Sequence, residues 1–251
     1  MPGPKWLGIG AQRSGTDWVS RLLVQHPKVD FGTNGKKEQQ ALQRIPNGQA
    51  SAEKYLSWFP DDGILRGDWS PRYMPLMVAP QVARSILPDE APIFVLLRDP
   101  VERLGSAMRF AKKKQEMKQA RRGRPGKGKR SKGDFNEAAL SRAHQFGQYA
   151  SSLEGWATAF PKERFVILTY EEAKEDVEAA CRVFWDAMGV KPHRLKDPYG
   201  RVKAPTEGKI EWNFPEGTRE ALVAHYLPQV LWLRDHWGVD VKRWRSFETL
   251  V

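Results

Sequence analysis

The sequence predicts an α/β fold, a three-layer sandwich whose central parallel sheet lies between helices, and three observations lead there. The chain opens on a short apolar run, a turn of small residues and then apolar residues at helical spacing, over Trp6 to Leu23. Two later runs, Ile93 to Leu97 and Phe165 to Leu168, are apolar without alternation, as strands buried on both faces of a parallel sheet are. Helical and strand-like segments alternate along most of the chain, which is the order that winds a parallel sheet. A length of 251 residues and a 40% hydrophobic share suit one soluble globular domain spanning 1–251, with no apolar run long enough to span a membrane.

Taken in order, Trp6, Leu7 and Ile9 read as the first strand, and Gly10, Ala11, Ser14 and Gly15 as a tight turn. Trp18, Leu22 and Leu23 then share a helical face. Strand, small-residue turn and helix together make a P-loop-like anion cradle. Backbone N–H groups converge in the turn, and the helix N-terminus adds partial positive charge. Gln12, Arg13, Ser14, Gly15, Thr16, Asp17 and Trp18 are therefore candidate ligands of a phosphate-bearing molecule. Gly10 and Gly15 keep the spacing of the triphosphate loop GxxxxGK[ST], but Thr16 stands where its lysine belongs, and Arg13 brings the cation inside the loop. No strand ending in a magnesium-binding aspartate is evident. A phosphate-containing donor that needs no metal fits better than a magnesium triphosphate.

His26-Pro27 closes the first helix, and Val29 to Phe31 reads as a second strand followed by a loop to Lys37-Glu38. Ser51 to Phe59 is a short helix, Ile64 to Asp68 a third strand, and Val78 to Leu87 a helix. The strand Ile93 to Leu97 ends in Arg98-Asp99-Pro100-Val101-Glu102-Arg103-Leu104-Gly105-Ser106. Pro100 opens a helix there, with Ser106 two turns in. Gln145 to Phe160 reads as one helix, and Val177 to Met188 as another that packs Cys181 in the core and stops at Gly189. Thr218 caps a last helical region that Pro228 is expected to break or kink.

The loop at residues 8–18 and the RDPxERxxS run at 98–106, about 85 residues apart and each after a strand, resemble the two signatures of the sulfotransferase family. That resemblance implies 3′-phosphoadenosine 5′-phosphosulfate (PAPS) as donor and no metal. It implies that the first loop grips the 5′-phosphosulfate, that Arg98 and Ser106 hold the 3′-phosphate, and that a basic loop bearing Arg201 and Lys203 closes over the donor. In glycan-modifying members a glutamate after the second strand is the catalytic base, a position that Glu38 matches, although Gln39, Gln40 and Ala41 replace the usual aromatics. Asp68, Ser70, Pro71 and Tyr73 match residues near the family's acceptor cleft, with Trp69 in place of a lysine. The expected roles are thus catalysis by Glu38 and Arg13 and acceptor contacts from Lys37, Arg72, Lys112 and Lys113.

The net charge of +11 is concentrated. Residues 112–132 carry eleven Lys and Arg against Glu116 alone, so this segment holds +10 of it. Its glycines and Pro125 predict a flexible basic loop at about 112–133. It is either a solvated insertion or a grip on a polyanion. Phe110 and Phe135 only flank it, so an acidic glycan suits it better than nucleic acid, which is not an expected partner. The single cysteine, Cys181, suits a reducing compartment, and the cytoplasm is the expected location. The expected activity is in-line sulfuryl transfer from PAPS to a hydroxyl or amine, with a glycan as acceptor. Two other readings stay open: a P-loop kinase, and a polyanion-binding protein that keeps the scaffold without catalysis.

Overall fold

The computed structural model describes residues 2–121, 137–198 and 213–251. Five strands, β1 (Trp6–Gly10), β2 (Val29–Phe31), β3 (Leu65–Trp69), β4 (Ile93–Leu97) and β5 (Phe165–Thr169), form one sheet in the order β2-β3-β1-β4-β5. Every pairing is parallel, with Leu7 opposite Asp68 on one side and Ile93 on the other. The order reverses direction at β1, between β3 and β4. A crevice opens beyond the strand ends at such a point, and α/β sheets of this kind bind ligands there.

Alternate residues of the same apolar runs serve two cores. Leu7, Ile9, Ile93, Val95 and Leu97 face helices α3 (Ala79–Ile86), α6 (Tyr149–Ala157) and α9 (Thr218–Trp237). Trp6, Phe94 and Leu96 face α1 (Thr16–Leu23) and α8 (Val177–Ala187). This is the expected three-layer sandwich, and it explains why these strands show no polar alternation. On the second face Trp6, Trp69, Phe94 and Phe184 interlock, with ring centroids 4.8–6.4 Å apart. Two indoles fit only because glycine lies beneath each. A Cβ on Gly8 would meet the Trp69 ring at 2.2 Å, and one on Gly67 the Trp6 ring at 2.1 Å.

The structure departs from the sequence expectations in four places. The helix opened by Pro100, α4, runs to Arg121, so residues 112–121 are helical and a basic loop can begin only after them. The remainder of that expected loop lies outside the described residues. The single helix expected from Gln145 to Phe160 is instead the end of α5 (Glu137–Gln145), a turn and then α6. Gly147 makes that turn where a Cβ would meet the Tyr226 hydroxyl at 2.9 Å and the Arg103 guanidinium at 3.2 Å. A six-residue helix, α7 (Tyr170–Glu175), too short to show periodicity, is held by a capping box between Thr169 and Glu172. Finally, of the break or kink expected at Pro228, there is no break, and α9 continues through the proline. Tyr226 and Val230, on either side of the proline, are fully buried against the sheet, and their packing outweighs the lost backbone hydrogen bond.

Candidate functional site

At the C-terminal end of β1 the chain leaves the sheet through Ala11, whose N–H donates to Leu96 O at 2.8 Å. Arg13 and Gly15 both adopt left-handed backbone, at φ 71° and 87°, and coil the turn tightly. Gly15 caps α1 without a side-chain partner. As in any helix, the first N–H groups, here of Gly15, Thr16 and Asp17, have no acceptor in the helix itself and point outward with its positive end. Tyr170, the first residue of α7, closes over this turn, since a Cβ on Gly15 would meet its ring at 2.7 Å. Trp18 approaches the same ring edge to face, with centroids 6.2 Å apart.

The neighbouring strand end supplies cations. Asp99 caps α4, one carboxylate oxygen accepting from the N–H groups of Val101 (2.9 Å) and Glu102 (3.2 Å), the other from Ser246 N (2.9 Å). Pro100 then fills the first helical position, where its missing N–H is no loss. That anchoring aims Arg98 over the Tyr170 ring, 4.8 Å from its centroid. Arg13 reaches across from the other loop. Its guanidinium lies 4.5 Å from the Phe110 centroid, and its Nε donates to Ser106 Oγ at 3.4 Å. Burial, and then the charges of Arg98, Arg109 and Arg103, push the Arg13 guanidinium below the usual arginine value. Neither Arg13 nor Arg98 forms an ion pair among the described residues. Converging guanidinium groups without a carboxylate make a strong anion site.

On the other wall stand Lys37 and Glu38, between β2 and the short helix α2 (Ala52–Leu56). Lys37 Nζ lies 3.3 Å from Glu38 Oε1 and 3.7 Å from Asp17 Oδ1, tying the glutamate to the first turn of α1. Gln40 Nε2 donates to the other Glu38 oxygen at 3.4 Å.

One cavity of about 670 Å³ joins these groups. Gln12, Arg13, Gly15, Thr16, Asp17, Trp18, Lys37, Glu38, Arg98 and Ser106 line it, and Ser14 is buried beneath. Besides Ser14, three expected residues among those described do not line it. Arg72 points to solvent because the turn closed by Tyr73 N to Ser70 O presents Pro71 to the cavity instead. Lys112 and Lys113 are carried beyond it by the continuing helix α4. Arg201 and Lys203 lie outside the described residues. Sequence reasoning missed Phe110, Tyr170 and Lys174 as lining residues. Phe110 falls one turn after Ser106 on the same helix, a spacing that was available; Lys174 stands in the same relation to Tyr170, on a helix the periodicity did not reveal. Trp69 and Asp68 are fully buried and do not reach the cavity. His26 is a structural helix-end residue, its Nδ1 accepting from Lys28 N and its Nε2 against Lys191 O.

A parallel α/β sheet whose reversal point carries a glycine-bounded loop and an arginine cluster places this chain among the α/β proteins built like P-loop sandwiches. The sulfotransferase domain family model matches residues 4–196, and the chain belongs to that family. It is 26% identical over 199 residues to the human bifunctional heparan sulfate N-deacetylase/N-sulfotransferase 3, a match covering 76% of this chain and 23% of that protein. It is 25% identical over 209 residues to the mouse bifunctional heparan sulfate N-deacetylase/N-sulfotransferase 4, with the same coverage of 76% and 23%. The chain thus spans about a quarter of the length of these relatives. Among solved structures, a sulfotransferase from Alicyclobacillus acidocaldarius superposes with a TM-score of 0.71 at 22% identity, covering 98% of this chain and all of the other. The sulfotransferase domain from the curacin biosynthetic pathway gives 0.54 at 14% identity, over 79% and 78% of the two chains. These two likenesses establish the fold. Among the described residues no helix is long and apolar enough to cross a membrane, and no group of three or more His, Cys, Asp or Glu could hold a metal ion.

Proposed function

We propose that this chain, acting as one domain, moves a sulfuryl group from PAPS to a hydroxyl or amine of a glycan. The observation that carries the reading is one cavity in which an anion cradle, with arginines that form no ion pair among the described residues, faces a glutamate. The donor fits the residues present. Outward N–H groups of Gly15, Thr16 and Asp17 suit the 5′-phosphosulfate. The Arg98, Arg13 and Ser106 cluster suits a second phosphate, and the Trp18 and Tyr170 rings, in edge-to-face contact with each other, give the cavity an aromatic wall that suits a purine. When bound, PAPS supplies the sulfuryl group and a phosphate leaving group. Here the backbone N–H groups stabilise charge on the departing oxygens, and Lys37 brings a further cation from the facing wall. Glu38 accepts the acceptor's proton as the new bond forms. The glycan acceptor is supported by the kinship with two proteins named as heparan sulfate N-sulfotransferases, and by the basic stretch from Lys112 onward. The lone Cys181, buried with its thiol pushed up to about 12, is consistent with a reducing compartment, and we assign the protein to the cytoplasm.

The test is transfer from radiolabelled PAPS across a panel of N-desulfated amino-glycans, O-desulfated glycans and simple phenols, alongside thermal shifts with adenosine 3′,5′-bisphosphate. Label on a glycan and a rise in Tm with the bisphosphate are expected. A Tm raised only by ATP with magnesium would overturn the donor assignment, and label on phenols alone would overturn the acceptor class.

A further inference from the structure

Glu38 sits on a segment without regular secondary structure, between β2 and α2. Its backbone is nonetheless held at every following residue. Gln39 N donates to Asp68 Oδ1 at 3.1 Å, Gln40 N to Ser70 Oγ at 3.0 Å and Ala41 N to the Tyr73 hydroxyl at 2.7 Å. On the other side, Lys37 O accepts from Trp69 N at 2.9 Å. The two hydroxyls in turn donate to Asp68, Ser70 Oγ to Oδ1 and Tyr73 Oη to Oδ2, each at 2.7 Å. Tyr55 Oη adds a fourth donor to the carboxylate, reaching Oδ2 at 3.1 Å. Asp68, Ser70 and Tyr73 are all fully buried.

We infer that Asp68 is a positioning residue for Glu38, its carboxylate anchoring three consecutive backbone N–H groups, that of Gln39 directly and those of Gln40 and Ala41 through Ser70 and Tyr73. This rests on the reading of Glu38 as the base. The direction of the network follows from its chemistry. Because Ser70 and Tyr73 accept from backbone N–H groups, their own protons go to Asp68, which can only accept. An amide at position 68 would put a donor among donors. Burial pushes the Asp68 carboxyl up to about 6, so it is ionised at neutral pH, while burial holds Tyr55 and Tyr73 well above the ordinary tyrosine value and neutral. Gln40 takes left-handed backbone at φ 52°, a strain that persists only where its surroundings impose it. A network this firm keeps a catalytic carboxylate within the small positional tolerance that proton transfer demands.

The experiment compares wild type with D68N and Y73F, the second losing one hydroxyl and no volume. Amide hydrogen exchange at Gln39, Gln40 and Ala41 should accelerate roughly tenfold in Y73F, the size of one lost hydrogen bond, and more in D68N, while the amides of β1 and β4 keep their protection. Turnover on whichever glycan of the panel the wild type sulfates, counted per site that binds adenosine 3′,5′-bisphosphate, should fall with it, whereas affinity for the bisphosphate and KM for PAPS stay within about twofold. Unchanged exchange at 39–41 in folded D68N or Y73F overturns the inference. So does faster exchange with wild-type turnover per binding site. E38Q separates the two levels: loss of turnover in E38Q but not in D68N removes the positioning role alone, and normal turnover in E38Q removes the base reading and this inference with it.

Discussion

The two walls of the cavity handle charge in opposite ways. On the Arg13–Arg98 side, guanidinium groups crowd together without an ion pair among the described residues, and burial and that crowding lower the Arg13 pKa. On the Lys37–Glu38 side every charge is matched within the wall, Lys37 lying between Glu38 and Asp17. The arginine wall is held directly by ends of the sheet, with Asp99 capping α4 and Ala11 bonded to Leu96. The glutamate wall is an irregular segment held by a buried polar network behind it. An unpaired wall gains most from binding an anion, whereas a paired wall holds the carboxylate proposed as the base in place without attracting an anionic donor. Affinity and chemistry are therefore expected to separate by wall.

Substitutions that empty one wall at a time test this separation. The largest effect is expected from E38Q, which keeps shape but removes the proton acceptor. Turnover should drop by about 10²–10⁴-fold while affinity for adenosine 3′,5′-bisphosphate remains that of wild type. Steady-state kinetics with calorimetric binding check it, and a loss of bisphosphate affinity would merge the two walls.

Next in size are R98A and R13A. The family resemblance puts these arginines at opposite ends of the donor, whereas here Arg13 bonds to Ser106 and Arg98 Nη1 lies 3.5 Å from Arg13 O. Each substitution should therefore weaken bisphosphate binding by about 1.5–3 kcal/mol, the worth of a charge-assisted hydrogen bond. The double variant should show less than the sum, because both guanidinium groups serve one anion. Full additivity would return them to separate ends.

A smaller effect is expected from deleting residues 122–132, which removes basic charge but leaves both walls intact. The acceptor KM should rise and its salt dependence flatten, since steering by charge fades beyond a Debye length of ~8 Å at physiological salt. Unchanged acceptor kinetics at low salt would leave the segment without a part in binding.

The smallest effect concerns what lies behind the arginine wall. Glu171 accepts from Asp99 N at 3.3 Å and from the Trp244 indole at 3.1 Å, and burial pushes its carboxyl up to about 7 from the ordinary 4.5. The folded protein therefore holds a proton that the unfolded chain has already released. Stability should fall as pH rises from 4.5 to 7, and E171Q should flatten that part of the curve. Urea midpoints at pH 5 and pH 8 measure it; equal pH slopes in both proteins would show that Glu171 does not hold this proton.

Much of the fold was legible because it rests on local pattern. Ile93–Leu97 forms β4 with the predicted bounds, since an uninterrupted apolar run between Pro92 and Arg98 has no other stable use in a chain of alternating elements. Gly10 and Gly15 bracket the anion loop as their spacing indicates, and Asp99-Pro100 begins α4 by cap chemistry that operates within one turn. Pro228 shows the limit of such rules. Its local cost is real, yet burial of Tyr226 and Val230 carries α9 through it.

The sequence by itself determined the strands, the anion loop, the arginine at the end of β4 and the place of Glu38 after β2, because turn residues, caps and apolar runs act over a few neighbours. Only the tertiary structure decided that Arg13 turns to Ser106, that Tyr170 closes over Gly15 and that Asp68 lies behind the glutamate segment. Those contacts join residues far apart in the chain, and they form only where parallel strands bring their C-terminal ends to one edge of the sheet.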